Sequence, residues 1–416
     1  MRMSNAVRVQ PDLKFVKELQ EVGGESLKKC YQCATCSVVC PLSPADDPYP
    51  RKEMVWAQWG LKDRLVNDID IWLCHNCGTC SDLCPRGAKP GDLLAALRNM
   101  AYRKLVQPTI IGTWMSSSKF LPILIAIPAA IYLLIWIARA ATLGTAFPLF
   151  DAAGKLVEKG GMVKYGGLFP GDYTIDPVFS LLFLFVVYCF YQGCTSILKS
   201  FKSLPKTFVV GRTKEPCFCE CVVETLKSEV ALHSRFKECG HEEEPQNRVK
   251  GHLLVFYAFL ALMVVTGTVA GAHWGGWLLH KMGLDGVLLT ILHAFGDTPL
   301  SLFNPVKLLA NAGAIMLVMG LTILTKRRMS LDTSKQGSSF YDWYLLGMIW
   351  TVACTGILSE LLRLVNWAGL AYPMYFFHLV AVFMLIGYLP WSKLGHLVYR
   401  TVALAYARKI GRIPMK

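Results

Sequence analysis

Charge is scarce in this sequence. Only 17% of its 416 residues are charged, while 53% are hydrophobic. That balance excludes an ordinary soluble chain and predicts membrane spans. The Gly-rich phosphate-binding fingerprint of nucleotide sites is also missing, so flavin chemistry is expected in partner proteins rather than in this chain. No receptor-like output domain is visible. The opening residues read as no secretory signal, which argues against a disulfide framework. A net charge of +14 would suit nucleic acid, but its distribution follows membrane topology instead, and no nucleic-acid partner is expected.

What is present centres on Cys30 to Cys84. The stretch reads Cys30-x-x-Cys33-x-x-Cys36-x-x-x-Cys40-Pro41, and again Cys74-x-x-Cys77-x-x-Cys80-x-x-x-Cys84-Pro85. This is the spacing of two-cluster ferredoxins, in which three cysteines hold one [4Fe–4S] cluster and the fourth ligates the other. The expected ligand sets are Cys30, Cys33, Cys36 and Cys84 for cluster 1, and Cys74, Cys77, Cys80 and Cys40 for cluster 2. Zinc sites pair their ligands and lack the triplet with Cys-Pro. Eight of fifteen cysteines are thereby committed, which implies assembly in a reducing compartment.

Around these runs the sequence predicts short helices: Pro11 to Gln20, Arg51 to Val66, and Leu93 to about Val106 with Asp92 as N-cap and Pro108 as terminator. The cluster domain is expected to close at residue 107. Residues 108–416 then carry six apolar stretches, at about 120–138, 177–198, 252–272, 305–324, 343–364 and 372–398. Each can cross ~30 Å of hydrocarbon at ~1.5 Å per residue. Nine Lys/Arg residues fall in loop 200–250, four in 326–340 and six from 393 onward, against three in 141–175 and one in 274–303. Positive loops face the cytoplasm. The expected protein is therefore multi-pass in the cytoplasmic (inner) membrane, with the cluster domain and C-terminus cytoplasmic.

Ionisable residues inside spans are candidate functional groups. His252 and His273 bracket the third span; His378 and His396 belong to the sixth. A continuous helix would put His378 and His396 on one face ~27 Å apart, and His252 and His273 ~31 Å apart. Antiparallel packing then levels His252 with His396, and His273 with His378. Two such pairs suit two b haems with bis-histidine ligation, one on the cytoplasmic side and one on the outer side. His280 and His293 are other possible partners for His378. The predicted fold is all-α: a ferredoxin-like two-[4Fe–4S] module joined to a six-helix transmembrane haem b bundle.

With these residues in view, the cysteine module resembles the C subunit of heterodisulfide reductases. Spans two to six resemble their cytochrome b (E) subunit, which is related to the gamma subunit of respiratory nitrate reductase. Arg248-Val249-Lys250-Gly251-His252 and His378 … Leu389-Pro390-Trp391-Ser392-Lys393-Leu394-Gly395-His396 carry that likeness. A chain joining both parts resembles the C-type membrane subunit of the quinone-interacting membrane-bound oxidoreductase complex of sulfate-reducing prokaryotes. The resemblance implies two [4Fe–4S] clusters, two b haems, menaquinone as substrate, and electron transfer between menaquinol and two cytoplasmic flavoprotein subunits similar to the heterodisulfide reductase flavoprotein. It further implies adenylylsulfate reductase downstream, in sulfate respiration. The pattern departs in two places: no second histidine lies between His252 and His273, and the first span has no counterpart. Alternatives are a heterodisulfide-reductase-type membrane subunit, though the CCG-type repeats for that catalysis are absent, and an iron–sulfur membrane anchor that never contacts quinone.

Other residues are expected to play smaller parts. Cys217, Cys219, Cys221, Cys239 and His241 read as thiols and imidazole of a cytoplasmic docking loop, with a metal as the alternative. His233 reads as satisfied locally, Cys189, Cys194 and Cys354 as helix packing, and Asp297 and Glu360 as solvated near the outer surface or exchanging protons with quinone.

Overall fold

A computed structural model describes residues 10–143, 163–169, 171–202, 204, 215–239 and 245–414. Among these there is no strand. The helices are α1 (Leu13–Leu19), α2 (Thr35–Val38), α3 (Arg51–Gln58), α4 (Lys62–Val66), α5 (Asp70–Leu73), α6 (Thr79–Asp82), α7 (Pro90–Lys104) and α8 (Thr109–Trp114) around the cysteines. Then come α9 (Leu121–Leu143), α10 (Tyr165–Leu168), α11 (Asp176–Phe201), α12 (Phe218–Thr225), α13 (Ser234–Lys237), α14 (Pro245–Lys281), α15 (Val287–Gly296), α16 (Pro305–Met329), α17 (Phe340–Leu364), α18 (Ala368–Gly387) and α19 (His396–Lys409).

The cluster domain folds on α7. Its buried residues Leu93, Leu97 and Met100 share a core with Phe15, Leu19, Met54, Leu65 and Trp72. The helix expected from Arg51 to Val66 is two helices. Gly60 divides them at φ +65°, and a Cβ there would lie 3.0 Å from the Asp12 nitrogen, so glycine admits the N-terminal segment. Asp92 does not cap α7, which begins at Pro90. Its carboxylate instead accepts a 2.7 Å hydrogen bond from the Gly337 amide, in the α16–α17 loop.

Six helices are long and apolar enough to cross a membrane: Ser118–Ala138, Asp176–Phe201, Asn247–Lys281, Pro305–Met329, Phe340–Leu364 and Ala368–Gly387. They match the expected positions except at the last. The stretch expected to run from 372 to 398 ends as a helix at Gly387, and two 3₁₀ turns, Leu389–Trp391 and Lys393–Gly395, precede α19. Pro390 has no amide to continue the ladder, and Ser392 is extended. The face-sharing of His378 and His396 along one helix therefore does not hold.

This break turns α19 back onto the cluster domain. Arg400 Nη2 donates to the Leu73 carbonyl at 3.1 Å. Arg412 Nη1 pairs with Asp47 at 2.7 Å, and Lys52 Nζ reaches Asp70 at 2.7 Å and Asp47 at 2.9 Å. These two cations offset part of the charge of a buried acidic group of Glu53, Asp68 and Asp70; without them the uncompensated charges would be costly. Arg408 fixes α12 and the turn that follows it to α19 through Thr225 and Ser228, both at 2.9 Å, and Glu229 at 3.0 Å.

Candidate redox centres and a cavity among the long helices

The two cysteine runs fold alike. Gln32 and Ala34 in the first, Asn76 and Gly78 in the second, take positive φ. Those reversals curl the chain so that amides face sulfur: Gln32 N donates to Cys30 Sγ at 3.4 Å, and Asn76 N to Cys74 Sγ at 3.2 Å. Thr35 and Thr79 then start helices α2 and α6, with their hydroxyls 3.3 Å from Cys33 Sγ and 3.4 Å from Cys77 Sγ. Ala88 N donates to Cys84 Sγ at 3.3 Å.

Electrostatics group the eight sulfurs in two sets. Burial first, then the nearby Cys30, Cys84 and Cys33, push the Cys36 thiol up to about 12. Burial and the nearby Cys74 push Cys40 up to about 11, with Cys77 adding to the rise. Cys84 thus sits with the first triplet and Cys40 with the second. Four sulfurs brought together in this way form a donor set suited to a group rich in positive metal charge. Both sets fit a [4Fe–4S] cluster. Cys40, Cys74, Cys77 and Cys80 line one cavity together with Tyr49, His75 and Cys239.

Cys239 lies between α13 and α14 and is 2% exposed. It shares the cavity wall with Cys77, and its nearness is the first cause that holds the Cys77 thiol down to about 5. Cys217 and Cys219 remain exposed, while Cys221 is buried. The docking-loop expectation therefore holds for neither Cys221 nor Cys239. His241 lies outside the described residues.

The histidines follow the same route into the membrane. The His252 and His396 ring centres are 6.3 Å apart. Two imidazoles on opposite sides of one metal, each at ~2 Å, have centres about 6 Å apart, so this pair fits bis-histidine ligation. Each ring is held at Nδ1: His396 by the Lys393 carbonyl at 2.7 Å, His252 by His233 Nε2 at 2.8 Å. Such partners fix ring orientation and leave Nε2 for metal. His233, expected to be satisfied locally, is this partner across nineteen residues. Nothing in its immediate neighbours along the chain points to that role. From His252 a row of rings leads back to the cysteines: Phe236 lies 5.4 Å from His252, and His75 lies 5.3 Å from Phe236. His75 follows Cys74 directly.

His378 faces a cavity of about 590 Å³, with Val265, Gly356, Glu360, Lys307 and Tyr375 also on its wall. Gly356 makes room for the ring, since a Cβ there would meet His378 Cε1 at 3.0 Å. Thr355 Oγ1 holds His378 Nδ1 at 3.0 Å. Glu360, expected to be solvated, pairs with Lys307 at 2.7 Å. His378 is the one histidine among the described residues of this wall. The expected levelling of His273 with His378 does not follow. Val265 is the residue of α14 that reaches the cavity, and His273 lies ~12 Å further along the axis. There it packs on Trp274, and its backbone crosses Gly296 closely. His280 and His293 face Asp285 at 3.5 Å and Asp297 at 3.0 Å, well exposed.

Residues 26–88 match the family model of the 4Fe-4S dicluster domain. The chain is 37% identical over 91 residues to the C subunit of the H(2):CoB-CoM heterodisulfide,ferredoxin reductase of Methanothermobacter marburgensis, covering 22% of this chain and 49% of that protein. It is 28% identical over 160 residues to the E subunit of the dihydromethanophenazine:CoB--CoM heterodisulfide reductase of Methanosarcina thermophila, covering 37% of this chain and 56% of that protein. A protein of Archaeoglobus profundus, named as like the C subunit of heterodisulfide reductase, is 34% identical over 83 residues, 20% of this chain and 44% of that protein. The chain spans about half the length of the curated relatives it matches. No solved structure matches it. A single chain resembling both a C and an E subunit is thus supported, as are a two-cluster iron–sulfur domain and a multi-pass membrane domain.

Proposed function

We propose that this chain is the membrane electron-transfer subunit of a quinone oxidoreductase complex, with residues 1–107 as its cytoplasmic cluster domain and 108–416 as its cytochrome b domain. Cys30, Cys33, Cys36 and Cys84 would hold one [4Fe–4S] cluster, and Cys74, Cys77, Cys80 and Cys40 the other. His252 and His396 would hold a b haem on the cytoplasmic side. When bound, these groups supply one-electron carriers; the chain positions them, keeps water away and orients the ligand rings. The observation that carries the reading is the row His75, Phe236, His252 and His396, with adjacent centres no more than 6.3 Å apart.

The second haem expected between His378 and His273 lacks that support. The proposal therefore keeps one haem and gives the outer cavity to quinol. Its volume falls in the range of small-molecule sites, and His378 with the Lys307–Glu360 pair offers groups to receive quinol protons. Electrons would pass from menaquinol through the haem to the two clusters. They would then reach two cytoplasmic flavoprotein subunits and adenylylsulfate reductase, with the membrane being the cytoplasmic (inner) one and both termini facing the cytoplasm. The relatives' names favour a second reading, a membrane subunit serving heterodisulfide reduction. A visible spectrum of the purified chain in detergent, treated with a menaquinol analogue, tests the proposal. Reduced b-haem bands and one haem per chain are expected. Absence of b bands even after dithionite would leave only an iron–sulfur anchor.

A further inference from the structure

The two cysteine runs are matched at their leading sulfurs and at the threonines that follow, yet the second has two further neighbours. Both come from the segment joining α13 to the start of α14, more than 150 residues from the ligands. Cys239 shares the wall of the cavity formed by Cys40, Cys74, Cys77 and Cys80. Arg248, 7% exposed, lies among Cys77, Cys239 and Cys74 and bears on them electrostatically. Its guanidinium lies 4.0 Å above the Phe236 ring, and its Nη2 is buried with no hydrogen-bond partner among the described residues. The corresponding sulfur of the other run, Cys33, is exposed, with the Thr35 hydroxyl 3.3 Å away and Arg51 the nearby cation.

A cluster gains one negative charge when it accepts an electron. Hydrogen bonds and positive charge at a ligand sulfur stabilise the reduced form more than the oxidised form, and so raise the potential. We propose that Cys239 and Arg248 are positioning residues that donate to the Cys77 sulfur and raise the reduction potential of the cluster held there above the value its own four cysteines would give. This rests on the two-cluster reading above. The consequence is a relay whose membrane-side cluster is the first to be reduced, with the exposed cluster beyond it as the exit.

The test is an EPR-monitored redox titration of the full chain in detergent, with iron analysis alongside. In Cys239→Ala the iron content should be unchanged, one cluster signal should titrate at a lower potential, and the other signal should not move. Cys239→Ser keeps a donor and should restore most of the shift. Arg248→Gln should lower the same signal, and it provides a separate reading if Cys239→Ala does not fold. Titration of both signals at parental potentials in Cys239→Ala and Arg248→Gln would overturn the inference. So would loss of about half the iron in Cys239→Ala, which would make Cys239 a ligand instead. A parental chain with no cluster signal or bound iron would defeat the two-cluster reading itself, a different outcome from clusters that are present but unshifted.

Discussion

The first cysteine run and the second are the same device in two settings. Both curl through positive φ, both place an amide on the leading sulfur, and both begin a short helix at threonine. Around the first run lies solvent: Cys33 is exposed, and Tyr31 is 68% exposed with Arg86 4.0 Å above its ring. Around the second lie Cys239, Arg248, His75 and the α16–α17 loop, which contributes Gln336. Local sequence builds the cluster cradle; the surroundings decide what each cradle exchanges electrons with. In the proposed function the second run connects to the membrane histidines, and the exposed first run meets the soluble partner.

The largest effect expected from breaking this comparison comes from the ligands. Cys33→Ala and Cys77→Ala should each lose about half the iron. Only Cys33→Ala should keep a cluster that quinol reduces, because in Cys77→Ala the remaining cluster is cut off from the haem. Iron analysis and EPR after quinol addition check this pair. If the two variants behave alike, the settings are not functionally different.

Asp92 joins α7 to the α16–α17 loop, and burial raises its carboxyl to about 6. Because the folded value lies above the unfolded one, the stabilisation is full below pH ~4 and is lost as pH rises through ~6. A shift of about two units is worth roughly 3 kcal/mol at most. Thermal unfolding of the detergent-solubilised chain should therefore move to higher temperature between pH 7 and pH 5, and Asp92→Asn should flatten that dependence. An unchanged slope in the variant would assign the effect elsewhere; buried Asp70, also raised to about 6, and buried Glu53, raised by burial, contribute with the same sign.

Position 34 and position 78 sharpen the comparison further. Ala34 and Gly78 both have positive φ, but a Cβ at Gly78 would lie 2.9 Å from Gln336 Oε1. Gly78→Ala is expected to cost about 1–2 kcal/mol and to loosen the loop over the second run, seen as faster proteolysis there. Ala34→Gly should leave stability within about 1 kcal/mol of the parent. Smallest is Arg86→Ala, which removes the contact with the Tyr31 ring and its 2.8 Å hydrogen bond to the hydroxyl. At this exposure the loss should stay below about 1 kcal/mol. Under the proposed function, the change should appear as weaker binding of the soluble electron partner rather than as a lower unfolding temperature.

The sequence exposes most of what depends on neighbours along the chain. Cluster ligands stand out because three of each four come from one turn of chain, and spans stand out because crossing hydrocarbon takes ~20 apolar residues whatever the fold. His252 and His396 were visible as ionisable groups at membrane ends. Pro390 was visible too, but that the chain leaves the helix for two 3₁₀ turns depends on how α19 packs. Cys239 and His233 were hidden because each acts on a residue brought to it only by folding, Cys77 and His252. The distance between His273 and the cavity before His378 was equally invisible, since it depends on which turn of α14 meets α17 and α18.

The central claim is that electrons reach the clusters through the haem site between α14 and α19. His396→Ala should remove the b-haem bands while leaving iron content intact. In that variant dithionite should still reduce both clusters, but a menaquinol analogue should reduce neither within the time the parent needs. Reduction of the clusters by quinol at the parental rate, with the haem gone, would contradict the account.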